Sequence, residues 1–234
     1  MITIRPSGER GHANHGWLDT QFSFSFSDYY DPKHMGFRDL RVINEDVVSA
    51  GRGFGMHPHR DMEILTYVIN GELTHRDSMG RGATLKRHDV QRMSAGTGIM
   101  HSEVNQSQDP VHLLQIWILP WAEGLKSTYE DRTFAAEEKT NKLRLIASDD
   151  GRDGSATINQ DASVYASLLD SGKSVSLNLK PERHAWVQLV SGQLDVNGST
   201  LKKGDGAAIT DEAALQITST SQDGAAEFLV FDLA

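Results

Sequence analysis

Glu63-Ile64-Leu65-Thr66-Tyr67-Val68-Ile69-Asn70-Gly71-Glu72-Leu73-Thr74-His75-Arg76 reads as two β-strands meeting at a glycine. Residues 63–70 are rich in β-branched and aromatic side chains, Gly71 fits a turn, and a second short run covers 73–76. Upstream, Gln21-Phe22-Ser23-Phe24-Ser25-Phe26-Ser27 alternates aromatic and hydroxyl residues for three cycles. That period of two predicts a strand with one buried face, and no helix could use it. Further strands are predicted over 41–48, 90–94 and 111–119, with hardly any amphipathic helical stretch between them. Many short strands separated by glycine-rich turns predict an all-β sandwich or barrel.

From 123 to 142 the chain is charged and loses its alternation, as in Tyr129-Glu130-Asp131-Arg132 and Glu137-Glu138-Lys139. This stretch is expected to connect two domains, 1–135 and 136–234. Strand-like runs resume over 143–147, 164–169, 175–179, 185–190, 193–196, 207–210, 215–218 and 225–233, so the second part is also all-β. The two parts echo each other when Tyr67-Val68-Ile69-Asn70-Gly71-Glu72-Leu73 is laid over Leu189-Val190-Ser191-Gly192-Gln193-Leu194 at the glycine.

At 234 residues the chain exceeds the common single-domain size of about 100–150 residues, which leaves room for two cores. A net charge of -9 disfavours direct contact with nucleic acid or an anionic membrane. The N-terminus has no apolar leader segment and no run is long and apolar enough to span a bilayer, so a cytoplasmic protein is expected. With no cysteine there is no disulfide and no thiolate site, so any metal must sit on nitrogen and oxygen.

Two pairs have that chemistry, His57-Pro58-His59 and His101-Ser102-Glu103. Residues i and i+2 of a strand share a face, so each pair can aim both ligands at one ion. Ten histidines make one H-x-H tripeptide unsurprising by chance, so the context matters. Gly51, Gly53 and Gly55 precede the first pair, and Gly96 and Gly98 the second. Glu63 shares the face of His57 and His59 by even spacing, so spacing alone leaves open whether Glu63 or Glu103 is the carboxylate ligand. In the glycine alignment His57 and His59 fall on Asn178 and Lys180, so a single metal site is expected, in the first part. Met56, Met62, Met93 and Met100 lie near the ligands, either as core filling or as an adaptable pocket wall. His75-Arg76-Asp77-Ser78 holds serine-protease residue types, but one contiguous segment cannot build a converging triad. His12, His15, His34, His88 and His112 read as surface or satisfied core histidines.

Gly51-x5-His57-x-His59-x3-Glu63 and Gly98-x2-His101-x3-Asn105 resemble the two cupin motifs. The longer stretches 57–63 and 94–103 are similar to the pirin family of bicupins. That resemblance is clear over about residues 10 to 135 and implies two cupin-type β-barrels or sandwiches, with one metal in the first. Its implied ligands are His57, His59, His101 and Glu103, with Glu63 behind them. It also implies one divalent transition metal, iron(II) foremost, with zinc, cobalt, manganese, nickel or copper compatible with the same donors.

Bacterial pirin-like proteins include quercetin 2,3-dioxygenases, so the resemblance implies a flavonol or similar chelating phenol, with O2, as substrates. Glu103 is then expected to be the catalytic base. The alternative it implies is a metal-binding regulatory protein that acts through a protein partner. A bicupin can satisfy its own strand pairing, so a monomer is expected.

Overall fold

The computed structural model describes all 234 residues. Strands dominate, and the only α-helix is the four-residue α1 (Ala136–Lys139). The chain forms two compact units. One holds Gly11–Thr133 with Ala156–Gln160, and the other holds Met1–Arg10, Phe134–Ser155 and Asp161–Ala234.

The first β-strand in the chain, β1 (Ile2–Arg5), belongs to the second unit. The first unit contains β2 (Gly11–Asn14), β3 (Leu18–Phe22), β4 (Leu40–Val48), β5 (Gly53–His59), β6 (Glu63–Asn70), β7 (Glu72–Asp77) and β8 (Gly82–Lys86). It continues with β9 (Asp89–Ser94), β10 (Ile99–Val104), β11 (Val111–Ile118), β12 (Thr128–Thr133) and, in the returning segment, β14 (Ala156–Thr157). Its larger sheet runs β12-β9-β6-β11-β4-β3-β2 and its smaller one β5-β10-β7-β8. The sheets are open, so the unit is sandwich-like and not a closed barrel.

The second unit contains β13 (Arg144–Ser148), β15 (Ala162–Leu169), β16 (Ser174–Asn178), β17 (His184–Ser191), β18 (Gln193–Val196), β19 (Ser199–Lys202), β20 (Gly206–Ile209), β21 (Ala214–Ser219) and β22 (Ala226–Leu233). Its orders, β1-β20-β17-β22-β15-β13 and β16-β21-β18-β19, repeat those of the first unit over six strands of the larger sheet and all four of the smaller. The echo around Gly71 and Gly192 therefore reflects one topology used twice. In each unit the glycine carries the chain from the larger sheet to the smaller, from β6 to β7 and from β17 to β18. Gly71 has φ +80, and a Cβ there would lie 2.7 Å from the Pro110 carbonyl, so the corner requires glycine.

Three expectations need correction. Only Gln21 and Phe22 of the alternating aromatic stretch lie in a strand, β3. Beyond it Ser23, Phe24 and Ser25 are all buried, because the backbone leaves the ladder and Ser25 Oγ accepts from Asp31 N at 2.8 Å. The charged stretch 123–142 is not wholly a connection, since Thr128–Thr133 forms β12 and pairs with β9. Its charges suit an edge strand with an open face, where Glu130 pairs with Arg92 and Arg132. Finally, the drawn boundary 1–135 and 136–234 differs from the compact units at the N-terminus. Ile2 through Arg5 pair with Ile209 through Gly206, so β1 completes the second unit's larger sheet.

Candidate metal centre

The inner face of the smaller sheet in the first unit brings the histidines together. His57 on β5 lies directly opposite His101 on β10, and His59 lies opposite Ile99. One ligand atom from each of His57, His59 and His101 falls within 4.8 Å of the others. Their ring centroids are 4.4 to 4.7 Å apart. A bulge in β5 adds one residue between Phe54, which faces Glu103, and His57, which faces His101. Such a bulge re-aims side chains, and here it turns the Gly55 carbonyl to accept from His57 Nδ1 at 2.7 Å. The other His57 nitrogen, Nε2, is thereby left with its lone pair.

Burial and the neighbouring His57 push His59 down to about 4, and the same causes push His101 down to about 2. Both rings are neutral at physiological pH, the form that binds metals. His101 Nε2 is buried with no hydrogen-bond partner, an atom that a metal would satisfy. The donor set is nitrogen and oxygen only, which fits a first-row divalent ion.

His57 and His59 open onto a cavity of about 640 Å³, within the range of small-molecule sites. Trp17, Phe22, Phe26, Phe54 and Trp117 supply an aromatic wall. Trp117 meets the His59 ring at 5.0 Å, nearly perpendicular, and the Phe26 ring at 5.2 Å.

The family model described as pirin matches residues 3–118, and that described as the quercetinase C-terminal cupin domain matches 145–233. The chain is 49% identical to quercetin 2,3-dioxygenase of Escherichia coli K12, covering 100% of this chain and 99% of that one. The chain belongs to the pirin family. A pirin-like protein of Caulobacter vibrioides is 38% identical with 100% of both chains covered. The crystal structure of bacterial pirin YhhW of E. coli in complex with nickel(II) superposes with a TM-score of 0.94 at 47% identity, covering 100% of this chain and 99% of that one. Both units of this pirin are thus of cupin type.

Glu103 in this pirin is fully buried and falls into a second grouping, His75, His101 and Glu103, again within 4.8 Å. Thr66 Oγ1 donates to its Oε1 at 3.3 Å and Gln115 Nε2 to its Oε2 at 2.9 Å. Burial raises the Glu103 carboxyl to about 7 against these hydrogen bonds, with Asp46 adding repulsion. Glu63 lies in neither grouping. It sits on β6 in the other sheet, accepting from Ser94 Oγ at 2.7 Å and from Asn159 Nδ2 at 3.0 Å.

His75 carries no metal signature in the sequence, yet β7 pairs with β10 so that His75 faces Glu103 and Asp77 faces His101. His101 Nδ1 and His75 Nδ1 are 3.3 Å apart. Asp77 Oδ1 is fixed by the backbone N–H groups of Met79 and Arg81. His75 Nε2 and Asp77 Oδ2, both lacking hydrogen-bond partners, face one another at 3.9 Å. The arrangement is consistent if His101 Nδ1–H donates to His75 Nδ1 while His75 Nε2–H points at Asp77. The only sequence signal was the even spacing of His75 and Asp77 on one strand.

The methionines do not build the cavity. Met56 and Met100 are 53% and 44% exposed, and Met93 packs in a separate apolar cluster with Ile64, Ala95 and Ile99. The core-filling reading therefore holds for Met93, whereas Met56 and Met100 fill neither core nor cavity.

Proposed function

We propose that this chain is a metal-dependent dioxygenase that cleaves flavonols such as quercetin at the 2,3 position with release of carbon monoxide. The observation that carries this reading is the convergence of three imidazoles beside an aromatic-walled cavity. Its E. coli relative bearing the name quercetin 2,3-dioxygenase supports the reading.

We assign His57, His59, His101 and Glu103 as the metal ligands. Iron(II) is the expected ion, and the nickel(II) of the bacterial pirin relative falls within the same donor preferences. When bound, such an ion supplies Lewis acidity toward the flavonol oxygens.

The chain's own groups do the rest. Glu103, a buried carboxylate, is the group that accepts the proton of the flavonol 3-hydroxyl. Thr66 and Gln115 keep its carboxylate aimed. Trp17, Phe54 and Trp117 hold flat rings and exclude water from the reacting end.

Quercetin added without oxygen to metal-loaded protein should show a red-shifted absorption band, and admitting O2 should consume it with release of carbon monoxide. Glu103→Gln should bind metal more weakly and, even at saturating metal, lose most turnover. A fully metallated protein that leaves the quercetin spectrum unchanged would end this assignment.

A further inference from the structure

The cavity wall away from the histidines is unusually polar for the inside of a β-sandwich. Neighbouring strands of the larger sheet align Gln91, Thr66, Gln115 and Asn44 in one row, each paired in register with the next. The matching row of the second unit is Ala207, Val187, Val230 and Tyr165, which pack into its apolar core. Three members of the first unit's row are accounted for within the protein: Thr66 and Gln115 hold Glu103, and Gln91 Nε2 donates to the Tyr129 hydroxyl at 3.2 Å.

Asn44 is not accounted for. It lines the cavity, is 3% exposed, and its Oδ1 accepts no hydrogen bond. Two residues along β4, on the same face, Asp46 also lines the cavity, is 4% exposed and leaves Oδ1 unpartnered. On the neighbouring strand β11, two residues from Gln115 and on the same face, the buried Trp117 Nε1–H has no acceptor. Buried polar groups are normally paired, so two acceptors and one donor left open around one cavity call for a partner that brings complementary groups.

We propose that Asn44 and Asp46, with Trp117 on the neighbouring strand, form a second recognition site that reads hydroxyl groups on the part of the ligand not held by the histidines. The preferred ligand class is then a flat aromatic carrying hydroxyls at both ends, not merely a chelating phenol. Ligand O–H groups donate to Asn44 Oδ1 and Asp46 Oδ1, and a ligand oxygen accepts from Trp117 Nε1. A ligand without those hydroxyls leaves the acceptors desolvated and unpaired, which is how a site rejects an analogue lacking one group. This inference rests on the reading of the cavity as a flavonol site.

The test compares binding of quercetin and of 3-hydroxyflavone, which keeps the chelating group but lacks the other hydroxyls. Zinc-loaded protein under anaerobic conditions allows binding without turnover, read by quenching of tryptophan fluorescence. Wild type should bind quercetin at least tenfold more tightly. Asn44→Leu and, as a smaller change, Asn44→Ala should bring that ratio toward one while leaving 3-hydroxyflavone affinity within about twofold. Asp46→Asn, which keeps an acceptor oxygen, should preserve most of the preference. A wild-type ratio near one with both ligands bound overturns this inference and leaves the flavonol reading standing, whereas binding of neither overturns both. Equal weakening of the two ligands by the Asn44 variants, or an unchanged ratio, also overturns it.

Discussion

His101 has two ring nitrogens with different neighbours, and that difference explains much of the centre. One faces His57 and His59, and the other meets His75, which is backed by Asp77. A ligating histidine whose remote nitrogen is held keeps its tautomer and ring angle. His75→Phe should therefore weaken metal binding by about 10–100-fold, the usual effect of removing such a support, measured by competition with a chelator. Unchanged affinity would remove His75 from any supporting role. Asp46 makes a separate prediction. Burial raises its pKa from 3.8 to about 6, so the fold favours its protonated form. The resulting stabilisation is complete below about pH 4 and is lost as pH rises through about 6. Two pH units correspond to about 3 kcal/mol. In urea unfolding of metal-free protein, Asp46→Asn should gain on wild type by up to that amount between pH 4 and pH 8. A constant difference across that range would show that Asp46 does not titrate in the fold.

Among the elements, β5 is the most constrained. A Cβ on Gly53 would lie 2.2 Å from the Glu103 carbonyl and 2.6 Å from Val104 Cα, so any side chain must part β5 from β10. These two strands carry His57, His59 and His101. Gly53→Ala is expected to cost about 1–3 kcal/mol, as overpacking does, and to lower metal affinity as the facing imidazoles separate. Melting temperature and metal titration together check this; lost stability with full metal affinity would show that the strain is absorbed elsewhere. The glycines before His57 were visible in the sequence, but their purpose was not. Gly53 lies against a strand nearly fifty residues away, and the β5 bulge that aims His57 exists only because β10 runs beside it. The same distance hid His75, which needs the pairing of β7 with β10 to reach the ligands.

The molecule as a whole uses one topology twice, hollow in the first unit and filled in the second. The second unit packs Leu177, Leu215 and Ile217 on the sheet that corresponds to the histidine-bearing one. The N-terminal strand is the exception to sequence order, since β1 covers the edge of β20. Deleting residues 1–10 should speed hydrogen exchange in Gly206–Ile209 and lower stability, because an unpaired strand edge is exposed. Unaltered protection of that strand would mean β1 contributes nothing to it. Residue types and local period determined that the chain is all-β, that a similar pattern recurs around Gly192, and that His57 and His59 share a face, as do His101 and Glu103. Each depends on neighbours a few residues apart. Tertiary structure alone decided which strands became partners, where β1 went, how Glu63 and Glu103 were separated onto different sheets, and why Asn44 and Asp46 line a cavity. Those outcomes follow from the closing of long loops into ladders, and local alternation carries no record of which distant strand will complete a ladder.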